Sequence, residues 1–266
     1  MNSLDETRIS RAILAAYAQD LDRCLASDVL IVGAGPSGLT AAWRLAERGL
    51  RVVILEKRLS PGGGIWGGAI GMNKAVVQEE ALSILNAASI RIASGSEGLY
   101  VVDAAELACS LCLKALRSGA QLLNLFTVED VCVHHGAVTG VVVNRTMIAG
   151  ALPVDPIVFR AKAVIDGTGH DAAVVQYLRR RGLVKSPDTA QPFGEAPMNA
   201  TAGERFVVDR VAEVFPGLWV CGMAVCACFG GPRMGPIFGG MLLSGQRAAE
   251  LVAQRLSQTE KGELHA

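Results

Sequence analysis

The sequence has no excess of either charge: Lys plus Arg and Asp plus Glu number 25 each among its 266 residues. That balance gives no global electrostatic reason to expect a nucleic acid or an anionic membrane as partner. No run of about 18 apolar residues is free of charge or glycine, so no membrane span is expected. The opening stretch, MNSLDETRISRAILAAYAQDLDR, lacks the small-residue cleavage pattern of a secretory signal and mixes charges into its apolar positions. It reads as an amphipathic helix over 8–24, with Ile9, Ala12, Ile13, Ala16, Tyr17 and Leu21 on one face. The seven cysteines (24, 109, 112, 132, 221, 226 and 228) are odd in number and scattered. Free thiols in a cytoplasmic protein are the simplest account. Cys109 and Cys112 form a C-x-x-C, but they sit in the helical pattern LACSLCLKAL with no second pair at zinc-site spacing, so packing is expected of them. Neither an internal repeat nor a clean linker divides the chain, and one domain over 1–266 is expected.

Hydrophobic residues make up 51% of the chain and charged residues 19%. That supplies a large core, and with zero net charge it favours an oligomer that hides part of its surface. The most legible stretch is SDVLIVGAGPSGLTAAWRLAERGLRVVILEK. An apolar strand enters a glycine turn, a helix follows to near Gly49, and a second parallel strand ends in an acid, giving a βαβ unit over 28–57. Gly33 permits the tight turn, Gly35 lets backbone approach a pyrophosphate, and Gly38 lets helix and strand pack closely. Free N–H groups of the first helical turn face the phosphates. Glu56 stands 18 residues beyond Gly38, where a carboxylate accepts hydrogen bonds from an adenosine ribose. In this context the G-x-G-x-x-G points to an adenine dinucleotide.

Glycine-rich RLSPGGGIWGGAIG reads as a long functional loop. The pattern then predicts helices over 76–85 and 103–117, strands over 121–125 and 128–133, and a hairpin turn at His134-His135-Gly136 into a strand over 138–143. A connection over 145–157 leads to a strand ending at Asp166-Gly167-Thr168-Gly169. Residues 183–203 read as a loop, GLWVCGMAV as a final strand, and SGQRAAELVAQRL as a closing helix. The fold class expected is α/β: a G-x-G-x-x-G dinucleotide-binding fold with a central parallel sheet, flanking helices and a small β-hairpin layer.

The GAGPSG variant, the following Glu-Lys pair and VIDGTG resemble flavoproteins of the two-dinucleotide-fold type. Their final strand ends in Gly-Asp, whose acid holds the ribityl chain of FAD. Here the equivalent positions are Gly222-Met223, and a thioether does not replace that acceptor. SPGGGIWGG, VVVNRT with VDP, GTGHDA and GPRMGPIFGGMLLSG together resemble the thiazole synthases of thiamine biosynthesis, in order from about residue 8 to 255.

That resemblance implies synthesis of an ADP-linked thiazole carboxylate from NAD and glycine, with nicotinamide released. It implies ferrous iron in members that take sulfur from free sulfide, with Asp155 and His170 as metal ligands and Arg233 holding the carboxylate of glycine. Ser37, Glu56, Lys57 and Gly64 would contact the dinucleotide, Val128 would lie beside its adenine end, and Met223 would line the pocket. Asp171 and Glu79 are candidate proton shuttles. A ring-like homo-octamer with shared sites is expected. Fungal and plant members sacrifice a cysteine two residues before the Asp of the Asp-Pro pair, and archaeal members often have histidine there; this chain has Pro153. No cysteine lies in 145–157, so external sulfide and multiple turnovers are expected. The rival readings are an FAD- or NAD-linked oxidoreductase and a non-catalytic dinucleotide-binding relative.

Overall fold

The computed structural model describes residues 4–185 and 194–263. Helix α1 (Glu6–Cys24) starts at Asp5, whose side chain accepts from the Thr7 N–H, and it buries only Cys24. Strand β1 (Ala26–Val32), helix α2 (Pro36–Ala46) and strand β2 (Val52–Glu56) form the expected βαβ unit, with Val29 opposite Val52 through Val32 opposite Leu55 in parallel. The paired parts, Val29 to Val32 and Val52 to Leu55, are continuous apolar runs, as suits a sheet covered on both faces. Next come β3 (Lys74–Gln78), α3 (Leu82–Ala87), β4 (Ala93–Ser94), β5 (Leu99–Asp103) and α4 (Ala104–Arg117). After β6 (Gln121–Asn124), the hairpin of β7 (Phe126–His134) and β8 (Ala137–Arg145) leads to β9 (Ile157–Asp166) and α5 (Ala173–Arg180). Helix α6 (Ala200–Asp209), strands β10 (Ala212–Phe215) and β11 (Leu218–Val220), and helices α7 (Met223–Phe229) and α8 (Gly239–Glu263) complete the chain.

The main sheet runs β10-β11-β9-β1-β2-β6, parallel from β11 to β6, and a smaller antiparallel sheet is ordered β3-β5-β4. β9 joins two layers. One edge pairs with β1; on the other, residues 157–160 meet β8 antiparallel and residues 164–166 meet β11 parallel. Its sequence carries the same division. Phe159, Ala161 and Ala163 alternate inward with exposed Arg160 and Lys162 between them, after which Val164, Ile165 and Asp166 are all buried. The period-2 half serves the one-sided hairpin layer and the continuous half serves the covered core. No helix among the described residues is long and apolar enough to cross a membrane.

Four expected elements need correction. Residues 74–78 are a strand, not the start of a helix: β-branched Val76 and Val77 pair with Val101 and Tyr100, and helix begins only at Leu82. The last strand stops at Val220, because Gly222, at φ +63°, turns the chain so that Met223 opens α7. Helix α6 begins inside the stretch read as a loop, capped by the Asn199 side chain accepting from the Ala202 N–H. The part of that loop at 186–193 lies outside the described residues. The C-x-x-C thiols do not share a buried face either: on α4, Cys109 is exposed and Cys112 half-buried.

Candidate functional site

A cleft of about 700 Å³ opens where β1, β2 and β9 end. Its floor is two glycine turns in contact. A Cβ on Gly33, where φ is +102°, would stand 2.5 Å from the Gly167 carbonyl oxygen, and one on Gly38 would stand 2.1 Å from the Gly33 carbonyl oxygen. Only glycine lets the turn after β1, the turn after β9 and the first turn of α2 approach this closely. Around Gly35 and Gly64 the same construction meets no atom within 4 Å, so both leave open space at the cleft wall.

Glu56 is 5% exposed at the end of β2. Its Oε2 accepts from the Ala34 N–H at 2.8 Å and its Oε1 from the Arg58 N–H at 2.8 Å. The carboxylate therefore braces the glycine turn, and each oxygen keeps a lone pair for a hydroxyl donor. Lys57 and Asp171 face each other across the cleft at 3.5 Å; both are well exposed, so the pair adds little stability.

Asp166 fixes the second turn. Fully buried, it accepts at Oδ1 from the Thr168 N–H and hydroxyl (3.0 and 2.7 Å) and at Oδ2 from the N–H groups of Val174 and Val175 (2.9 and 3.0 Å). Burial pushes its carboxyl above the usual range, against four hydrogen bonds that favour the anion. Asp166→Asn turns an amide NH₂ toward backbone donors. A loss of about 1–3 kcal/mol is expected in denaturant unfolding, the cost of donors left unsatisfied in the interior.

That brace sets the short 3₁₀ turn Gly169–Asp171, from which His170 enters the cleft. Its Nδ1 lies 2.6 Å from Glu195 Oε1, and Glu195 Oε2 lies 3.6 Å from Arg233 Nε. Arg233 lines the same cleft on the loop after α7, which is tied to β3 by the Phe238 N–H donating to the Val76 carbonyl at 2.8 Å.

Of the residues singled out from the sequence, Gly33, Gly35, Ser37, Glu56, Lys57, Gly64, His170, Asp171, Met223 and Arg233 line this cleft. Gly38 lies behind it in α2, and Val128 is buried in β7, its carbonyl accepting from the Tyr177 hydroxyl, while Phe126 two residues earlier reaches the cleft wall. Asp155 is exposed on the connection between β8 and β9 and is not brought to His170 within the chain. Glu79, His134 and His135 are exposed away from the cleft. Among the described residues no three of His, Cys, Asp and Glu cluster so as to hold a metal ion. No cysteine lines the cleft; burial pushes the thiols of Cys221 and Cys226 up to about 12, and that of Cys228 upward as well. Arg58, Phe126 and Glu195 were missed from the sequence; Phe126 and Glu195 sit in no local motif, and Arg58, at the head of the glycine-rich loop, was passed over beside Glu56 and Lys57.

The model of the Thi4 family matches residues 10–238. The chain belongs to the Thi4 family. The thiamine thiazole synthase of Thermococcus kodakarensis is 51% identical over 255 residues, covering 95% of this chain and 99% of that protein. That of Thermotoga maritima is 49% identical, covering 96% and 99%. The crystal structure of Thermovibrio ammonificans THI4 superposes with a TM-score of 0.92 at 44% identity, covering 97% of this chain and all of that one. This family member is therefore an enzyme with the thiazole-forming role in thiamine biosynthesis.

Proposed function

We propose that the chain makes an ADP-linked thiazole carboxylate from NAD, glycine and free sulfide, releasing nicotinamide, with ferrous iron and more than one turnover per chain. The observation that carries this reading is the joining of two half-sites in one cleft. A glycine turn with an acid at the end of β2 suits the ADP part of NAD, and His170 with Arg233 stands beyond it, suited to a metal and a small carboxylate. The first-turn N–H groups of α2 face the pyrophosphate, Glu56 accepts from the ribose, and Arg233 orients the carboxylate of glycine.

The donor set fits ferrous iron once two copies meet. A histidine nitrogen and a carboxylate suit that ion, and the cleft supplies His170 with Asp171 beside it. Asp155 sits among exposed apolar side chains, Met147 (63% exposed), Leu152 (57%), Val154 (41%), Ile157 (42%) and Val158 (49%). A single copy leaves that surface in water, and a second copy covering it would carry Asp155 to its neighbour's cleft. The outward apolar face of α1, with Ile9, Ile13, Leu14 and Tyr17, supports the same assembly, a homo-octamer by resemblance. When bound, the iron supplies a Lewis acid that holds sulfide in its deprotonated, nucleophilic form. With no cysteine among the residues lining the cleft and Pro153 at the donor position, the chain's own part is to position substrates, not to give up sulfur. We place the enzyme in the cytoplasm, where free thiols persist.

Anaerobic incubation with NAD, glycine, ferrous iron and sulfide, followed by mass spectrometry, tests the reading. The adenylated thiazole and free nicotinamide are expected together, and omission of any one component abolishes the thiazole. Tight NAD binding with no product under complete conditions would instead mark a non-catalytic binder.

A further inference from the structure

We propose that Glu195 is a positioning residue that sets, with one carboxylate, both the tautomer of His170 and the orientation of Arg233. What those two groups bind rests on the function proposed above; the positioning itself rests on three observations.

The first is placement. Glu195 is only 13% exposed in its side chain and lies between the two groups, Oε1 on His170 Nδ1 at 2.6 Å and Oε2 toward Arg233 Nε at 3.6 Å. The second is that its backbone is fixed to the loop carrying Arg233. The Gly194 N–H donates to Ala227 O (2.9 Å) and the Ala196 N–H to Gly231 O (2.9 Å). The Arg233 N–H donates to Ala196 O (3.3 Å), and Asn199 returns its N–H to Arg233 O (2.9 Å). His170 arrives from a different element, the turn after β9. One side chain thus contacts both functional groups of the site, which come from two different loops.

The third observation is chemical. A carboxylate has no proton to give, so at this contact Nδ1 must be the donor. In the neutral ring that leaves Nε2 unprotonated, with its lone pair free for a metal ion in the cleft. On the other side, pairing at Nε leaves the terminal guanidinium nitrogens of Arg233 free to take a substrate carboxylate as a fork. Asp171, which also lines the cleft, faces Lys57 and takes no part. Removing Glu195 frees the ring to carry its proton on either nitrogen and leaves the guanidinium without a brace.

Full-length protein labelled with ¹⁵N only in its four histidines reports the tautomer by solid-state NMR without metal, His170→Ala identifying the signal. The wild type is expected to show Nδ1–H alone for neutral His170. Glu195→Ala is expected to show an Nε2–H population, and Glu195→Leu, which also has no acceptor for Nδ1–H, serves if the smaller side chain fails to fold. Cobalt(II) affinity and the KM for glycine should each worsen about 10–100-fold, with NAD affinity unchanged as the sign of an intact fold. A single Nδ1–H form persisting in the folded variant, or an Nε2–H form already present in the wild type, would overturn the proposal. If the tautomer shifts as expected but the wild type binds neither cobalt(II) nor glycine, the positioning role stands and the iron-using reading falls.

Discussion

Assemblies built only from His170→Ala or only from Asp155→Ala copies are expected to lose thiazole formation at least about 10³-fold, the scale on which a metal site stabilises charge. Co-expressed under two tags and purified as mixed assemblies, the two inactive chains are expected to recover about a quarter of wild-type activity, the fraction of random pairings that unite an intact His170 with a neighbour's intact Asp155. The reason is spatial. His170 is held in the cleft by the Asp166 brace, whereas Asp155 is exposed on a separate connection among apolar side chains. Recovery requires ligands from two copies. If mixing restores nothing although tandem purification shows mixed assemblies, Asp155 does not act in a neighbour's site.

Gly38→Val is expected to lower both stability and NAD affinity. A Cβ there stands 2.1 Å from the Gly33 carbonyl oxygen and 3.4 Å from Ile31 Cγ2. The first is a backbone atom of the phosphate turn, so no rotamer relieves the clash. Overpacking of this kind costs about 1–3 kcal/mol or more, and opening the turn would move the α2 N–H groups off the pyrophosphate of the proposed NAD. A fall of at least about tenfold in NAD affinity is expected, each 1.4 kcal/mol being a factor of ten. Gly64→Ala is the contrast. Its Cβ meets nothing within 4 Å, yet Gly64 lines the cleft. Unfolding stability should stay within about 0.5 kcal/mol while NAD affinity falls. Denaturant titration and calorimetry on the two variants separate the roles; equal stability of both would contradict the packing role given to Gly38.

The βαβ unit was legible because its signals are local: a buried apolar run, a glycine turn, a helix and an acid within 28–57. β9 and the Asp166 turn were legible for the same reason. Strand β3 was misread because Val76 and Val77 meet their partners, Tyr100 and Val101, only through β5, a long-range pairing that periodicity does not carry. The end of β11 was misread because the chain direction is reset at one residue, Gly222. At the site, Gly33, Glu56, His170 and Arg233 lie in compact motifs, and the fold brings them to one cleft. Glu195 lies in a polar, turn-rich stretch whose order comes from pairing with residues 231–233, and nothing in its neighbours along the chain announces that. Asp155 stood out beside its proline, but its place outside the cleft depends on how β8 connects to β9, which no local pattern gives.

On the proposed function, the sulfur of the thiazole comes from outside the chain. Anaerobic turnover with NAD, glycine, ferrous iron and sulfide labelled with heavy sulfur tests it, reading label in the product and the intact mass of the protein together. Label in every product molecule, more than one product per chain and an unchanged protein mass are expected. Unlabelled product, at no more than one per chain and with the protein lighter by one sulfur, would contradict it and make one of the seven cysteines the donor.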